Sequence, residues 1–96
     1  MITLINLNLN SQVAISNDGK VGIGTTTPDT KLDINGVITI QEVTSTPVNP
    51  DADGETRVYI KDNKYIIQYN DGGTIKYRYM DLTSTDATWT YTTTAP

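Results

Sequence analysis

Apolar positions along this chain come in short alternating pieces. Leu7 and Leu9 alternate with Asn8 and Asn10, Val13 and Ile15 alternate with Ala14 and Ser16, Val21 and Ile23 flank Gly22, and Leu32 and Ile34 flank Asp33. A period of two sends every other side chain to the same side of an extended backbone. No stretch repeats apolar residues at the 3.6-residue spacing of a helix, and Thr, Val and Ile, which favour the pleated surface of a sheet, recur throughout. The pattern predicts an all-β protein.

The turns between these pieces are also legible. Asn17-Asp18-Gly19-Lys20 supplies a tight reversal ahead of Val21 and Ile23, because Gly and Asn/Asp tolerate positive φ. Asn35-Gly36 admits two readings: a hairpin turn between Leu32/Ile34 and Ile38/Ile40, or a kink in one continuous strand, since Val37 breaks the strict alternation. Further on, Arg57–Lys61 and Lys64–Tyr69 flank Asp62-Asn63, which predicts a two-residue hairpin that puts Val58 and Ile60 on a face with Tyr65 and Ile67. Asn70-Asp71-Gly72-Gly73 turns the chain again. Ile75, Tyr77 and Tyr79 then alternate with Lys76, Arg78 and Met80, as in a strand with one wet face. Thr88-Trp89-Thr90-Tyr91 is a last predicted strand.

Composition divides the chain. Residues 1–58 contain no aromatic side chain, whereas all six Tyr and the single Trp lie between Tyr59 and Tyr91. The boundary is placed in Thr46–Gly54, which is dense in turn formers. The expected organisation is an N-terminal anchoring arm over 1–16, a Gly/Thr-rich β stalk-like segment over 17–46, a linker loop over 47–56, and a small antiparallel β-meander head over 57–96.

Composition also bears on how such pieces stay folded. Of 96 residues only 36% are hydrophobic, and Phe is absent. Each short strand of the first half offers only a pair of aliphatic side chains to a core, while ordering the backbone costs roughly 1–2 kcal/mol per residue. With no Cys there is no disulfide, and with no His or Cys there is no conventional zinc staple. Oligomerisation is the remaining support for a small scaffold. Identical copies that wrap around one another are therefore expected.

Charge and motifs remove several function classes from the expectation. The net charge is −4, and the Lys and Arg, 7 in all, are scattered rather than striped, so no nucleic-acid partner is expected. No apolar run approaches the roughly 20 residues of a membrane-spanning helix, and Met1–Asn10 lacks the cationic and apolar regions of a signal peptide. Asn49-x-Asp51-x-Asp53-Gly54 imitates the start of a calcium loop, but its twelfth position is Ile60 rather than a carboxylate, so it reads as a polar turn and no metal is expected. Gly22-Ile23-Gly24 lacks the third glycine and following helix of a dinucleotide loop; its glycines read as places where backbones approach closely as chains cross. Without His or Cys the common general bases and nucleophiles are missing, and nothing in the spacing selects Asp33, Asp81 or Glu42 as an acid/base pair. A non-enzymatic protein without a cofactor is expected.

Gly19-Lys20-Val21-Gly22-Ile23-Gly24-Thr25-Thr26-Thr27-Pro28, followed by Lys31-Leu32-Asp33-Ile34-Asn35-Gly36, resembles the GxVGIGTTxP…KLDVxG segment of bacteriophage tail-fibre and related virion-surface proteins. Tyr65–Thr74, Tyr79–Thr83 and Trp89–Pro96 are similar to a C-terminal module of tail-fibre-like proteins of aquatic phages. The two likenesses together span most of residues 17–96. They imply a homotrimeric, β-rich, non-enzymatic virion protein that is assembled in the host cytoplasm and displayed on the particle surface. In larger members of this group the motif precedes a chaperone domain that is cleaved off. This sequence has no such domain, so self-cleavage and its catalytic residues are not carried over.

Only Met1–Ser16 precedes the motif, which favours a capsid decoration (cement or head-fibre) protein, held on the major capsid protein by strand addition through the arm. The alternative is a tail-fibre tip, attached to a tail or fibre protein, that recognises host-surface glycan. The residues expected to anchor and to form trimer contacts are Leu7, Leu9, Val13, Ile15, Val21, Ile23, Leu32 and Ile34. Tyr69, Tyr77, Tyr79, Trp89 and Tyr91 are expected to fill the head core or a trimer interface, with a receptor surface as the second reading, because Tyr joins a flat apolar face to a polar tip.

Overall fold

The computed structural model describes residues 13–96 and is all-β over that range. Leu7 and Leu9 lie outside the described residues. The chain divides into two compact units, residues 1–39 and 40–96.

The described part of the first unit is a three-stranded sheet of β1 (Val13–Ile15), β2 (Val21–Ile23) and β3 (Leu32–Ile34), in that order. β1 and β2 form an antiparallel hairpin around Asn17–Lys20, closed by Ser16 N–H donating to Lys20 O at 2.9 Å and Gly19 N–H to Ser16 O at 3.0 Å. Val13 and Ile15 are thus part of this sheet, although the sequence places them in the arm. β2 and β3 pair in parallel, Val21 opposite Leu32 and Ile23 opposite Ile34. The ladder runs on at both ends, through Val21 N–H to Lys31 O and Asn35 N–H to Ile23 O, each at 2.8 Å.

A parallel connection ordinarily takes a dozen or more residues. Residues 24–31 suffice here because the loop curls directly over the bare backbone of Gly22. A Cβ on Gly22 would stand 2.3 Å from Thr25 O, and one on Gly24, whose φ is +75°, would stand 2.4 Å from Asn35 O. Close approaches at the glycines therefore occur, but within one chain, where the sequence reading places them at a crossing of chains. Neither reading of Asn35-Gly36 survives. Gly36 is not at the positive φ that a two-residue hairpin turn demands, β3 is taken up by β2, and no strand continues through 37–41.

The second unit is an antiparallel meander of β4 (Thr56–Lys61), β5 (Lys64–Asp71), β6 (Thr74–Asp81) and β7 (Thr90–Thr92). Asp62-Asn63 makes the first turn with φ of 49° and 61°, and Gly72-Gly73 the second with φ of 59° and 96°. Positive φ at both central positions marks the turn family whose twist suits a hairpin. The predicted hairpins form in the predicted register, with Val58 opposite Ile67 and Ile60 opposite Tyr65. β7 starts at Thr90, two residues after Thr88, where the predicted last strand begins.

One face of this sheet carries the core: Tyr59, Ile66 and Tyr77 are buried, and Ile75 and Tyr79 pack against them. Its cover is the segment ahead of β4. Val43 N–H donates to Ile60 O and Glu42 Oε1 accepts from Asn63 N–H, at 2.8 and 2.9 Å. Gln68 Nε2 donates to Asn49 Oδ1 at 3.1 Å, Asn70 Nδ2 to Pro50 O at 2.8 Å, and Gly72 N–H to Asp53 Oδ1 at 2.8 Å. Pro50, within this strap, is wholly buried. The compact unit thus begins ahead of the change in composition, and residues 47–56 bind along the sheet where the sequence suggests a linker.

Candidate functional site

Two open sheet faces stand out among the described residues, one in each unit. In the first unit the registers put Val13, Ile15, Val21, Ile23, Leu32 and Ile34 on the same face. Ala14, Gly22 and Asp33 lie on the opposite face, where the 24–31 loop crosses. Among the described residues no loop covers the aliphatic face: Ile15 is 48% exposed, Ile23 40% and Leu32 57%. Every described residue expected to anchor or to form trimer contacts therefore falls on one surface.

In the second unit the strap-covered face leaves its opposite bare. The cross-strand row Val58–Ile67–Arg78–Tyr91 runs over all four strands, and Tyr69–Lys76 and Tyr65–Met80 lie on the same side. Tyr69, Tyr91 and Trp89 are exposed, at 39%, 47% and 47%. The aromatic set expected from sequence is divided by the sheet. Tyr77 is in the core with Tyr79 against it, whereas Tyr69 and Tyr91 face the other way, and Trp89 meets the Tyr65 ring edge-on, centroids 6.0 Å apart. For Tyr69, Trp89 and Tyr91 the expected place in a head core is corrected to the open face. The physical reason is parity: a two-residue turn pairs Asp71 with Thr74, so odd positions of β5 share a face with even positions of β6.

Ile67, Tyr69, Asp71, Lys76, Arg78 and Tyr91 enclose a concavity of about 350 Å³ on this face. The Arg78 guanidinium lies over the Tyr91 ring, 5.0 Å from its centroid. Lys76 Nζ donates to Asp71 Oδ2, and that carboxylate holds the ammonium above its ordinary value of 10.5. The sequence points to Tyr69 and Tyr91 but not to their charged neighbours Asp71, Lys76 and Arg78. Alternation counted through the Gly72-Gly73 turn would have found them.

The carboxylates considered for catalysis or metal binding accept local hydrogen bonds. Asp33 Oδ2 accepts from Asp29 N–H at 3.0 Å, Glu42 Oε1 from Asn63 N–H, and Asp81 Oδ1 from Thr83 N–H and Oγ1 at 2.9 and 2.7 Å. The Thr83 hydroxyl and N–H hold the Asp81 carboxyl below its ordinary value of 3.8. Of the calcium-loop mimic, Asn49 and Asp53 spend side-chain oxygens on the sheet. Among the described residues no group of three or more His, Cys, Asp or Glu is placed to hold a metal ion. Nor is any described helix long and apolar enough to cross a membrane.

Set against family models, curated proteins and solved structures, the chain matches none of them.

Proposed function

We propose that this protein is a non-enzymatic structural protein of a bacteriophage virion, a homotrimer that decorates the capsid surface. The observation that carries the reading is the aliphatic face of the first unit. Val13, Ile15, Val21, Ile23, Leu32 and Ile34 share it, and of these Val13, Ile15, Ile23 and Leu32 are exposed. Burying a Val, Leu or Ile side chain completely contributes roughly 1.5–3 kcal/mol. Apposing this face between copies offsets the chain ordering that so short a sheet cannot repay alone. The resemblance of Gly19–Pro28 and Lys31–Gly36 to virion-surface proteins supports both the trimer and the location. The arm over 1–16 then grips the major capsid protein by adding a strand to it.

Sedimentation equilibrium at micromolar concentration tests the assembly, with a trimer as the expected result. A compact monomer that melts cooperatively at that dilution overturns it. Deleting residues 2–12 is expected to leave the trimer soluble and to abolish its binding to capsids; unchanged occupancy overturns the anchoring role.

A second reading is favoured by a different observation, the aromatic face of the second unit with its charged concavity. On that reading the protein is a tail-fibre tip whose head recognises host-surface glycan. Binding of the purified protein to host cells, without binding to capsids, would select it.

A further inference from the structure

The concavity on the open face of the β4–β7 sheet has a chemistry more specific than an exposed aromatic patch. Tyr69 and Tyr91 contribute aromatic side chains, Ile67 an aliphatic surface, and Asp71, Lys76 and Arg78 contribute charge. Two cations stand there against one carboxylate, on a chain whose net charge is −4. Among the described residues no carboxylate lies within ion-pairing distance of Arg78, since Glu55 pairs with Arg57, Asp62 with Lys61, Asp71 with Lys76 and Asp18 with Lys20. The Tyr91 ring beneath the guanidinium orients it, and a stacked guanidinium keeps its N–H edges available for a planar acceptor.

We infer that this concavity binds an acidic pyranose, a sugar ring bearing a carboxylate such as a uronic acid. Arg78 takes the carboxylate, in the paired N–H···O geometry that a guanidinium offers and an ammonium does not. The C–H face of the sugar ring lies on Tyr69, because an aromatic surface suits its apolar side and Arg78 already covers Tyr91. Asp71, with one oxygen engaged by Lys76, keeps the other for a sugar hydroxyl. The volume, about 350 Å³, is at the small end of ligand pockets, which matches one or two sugar units rather than a polymer lying in a long groove. Charge complementarity selects the acidic class. A neutral sugar would leave the Arg78 edge without its partner, whereas a carboxylate satisfies it.

This inference deepens the second, receptor-recognition reading and rests on it. Its test is an NMR titration of the isotopically labelled full chain with methyl glucuronide and, separately, methyl glucoside. The expected result is shifts confined to Tyr69, Asp71, Arg78 and Tyr91, with the glucuronide bound about tenfold more tightly, as one charge-assisted interaction allows. Arg78→Gln, at an exposed position away from the core, is expected to keep the fold and to erase the preference. Equal response to the two sugars overturns the acidic specificity while leaving glycan recognition standing. Silence towards both, or a preference that persists in Arg78→Gln, overturns the site. So does loss of Tyr91 accessibility on self-association without sugar, which would make a second copy the occupant. Binding of glucuronide together with failure to bind host cells, by contrast, counts against receptor recognition and supports the pocket.

Discussion

At the scale of single residues, Gly22 and Gly24 do what no other residue can in the first unit. Each lets a backbone oxygen come within 2.5 Å of where its Cβ would be, and Gly24 also holds a φ of +75°. Gly22→Ala or Gly24→Ala is expected to destabilise the three-stranded sheet by on the order of 2–4 kcal/mol, because overpacking and left-handed strain each cost a few kcal/mol. Gly36→Ala is the contrast. Nothing stands within 4 Å of its would-be Cβ, and its effect on the thermal midpoint is expected to be small. Tyr59 carries a pH dependence. Burial, with the nearby Tyr77 hydroxyl second, pushes its hydroxyl above the ordinary value of 10.0. A folded-state value above the unfolded one means that the neutral form is favoured in the fold. The contribution is therefore complete below pH 10.0 and is lost as pH rises through the folded value. Thermal melts taken from neutral to strongly alkaline pH are expected to show this loss in the natural protein and a smaller one in Tyr59→Phe. The special role of Gly22 was legible as a glycine that must matter, but not as the floor of a crossing loop, since the residue that crosses it is chosen by the parallel pairing of β3.

At the scale of elements, the strap over residues 42–55 matters most. Asn70 is its principal fastener: buried to 5% exposure, it donates through Nδ2 to Pro50 O and accepts through Oδ1 from Gly73 N–H, both at 2.8 Å. One side chain thus ties the strap to a sheet strand and to the adjoining turn. Asn70→Ala leaves two backbone groups short of a partner and is expected to cost about 2 kcal/mol, with faster amide exchange in residues 49–55 as the readout. The hairpins themselves were readable, because Asp62-Asn63 and Gly72-Gly73 sit between alternating runs and local twist fixes the rest. The strap was not, for its sequence of Pro, Asn and Asp has the composition of a solvated linker. What holds it are side-chain oxygens and amides whose partners lie 19 to 21 residues away.

At the scale of the whole molecule, the proposed assembly depends on the apolar surface exposed among the described residues of the first unit. Leu32→Asp puts a charge on the face shared by Val21 and Ile34 without touching the core of the second unit. It is expected to weaken self-association about 100-fold or more, since a buried charge without a partner costs several kcal/mol. Far-ultraviolet circular dichroism should meanwhile retain the signal of the meander. A mutant that sediments as the natural protein does would show that this face is not the assembly surface. The same experiment separates the two open faces, because Arg78→Gln is expected to leave the mass unchanged.

Period-two alternation and the turn residues determined, from sequence alone, that the described chain is all-β, where most strands lie and how the meander is registered, because strands and tight turns are governed by neighbours within a few residues. Clustering of the aliphatic residues on one surface followed from the same alternation. Tertiary structure decided that β3 joins β2 in parallel rather than forming a hairpin at Asn35-Gly36, and that residues 42–55 strap over the core-bearing face. Each of these depends on which distant backbone or side-chain group supplies the partner for a hydrogen bond, and on which face is covered first. Local pattern carries no information about either.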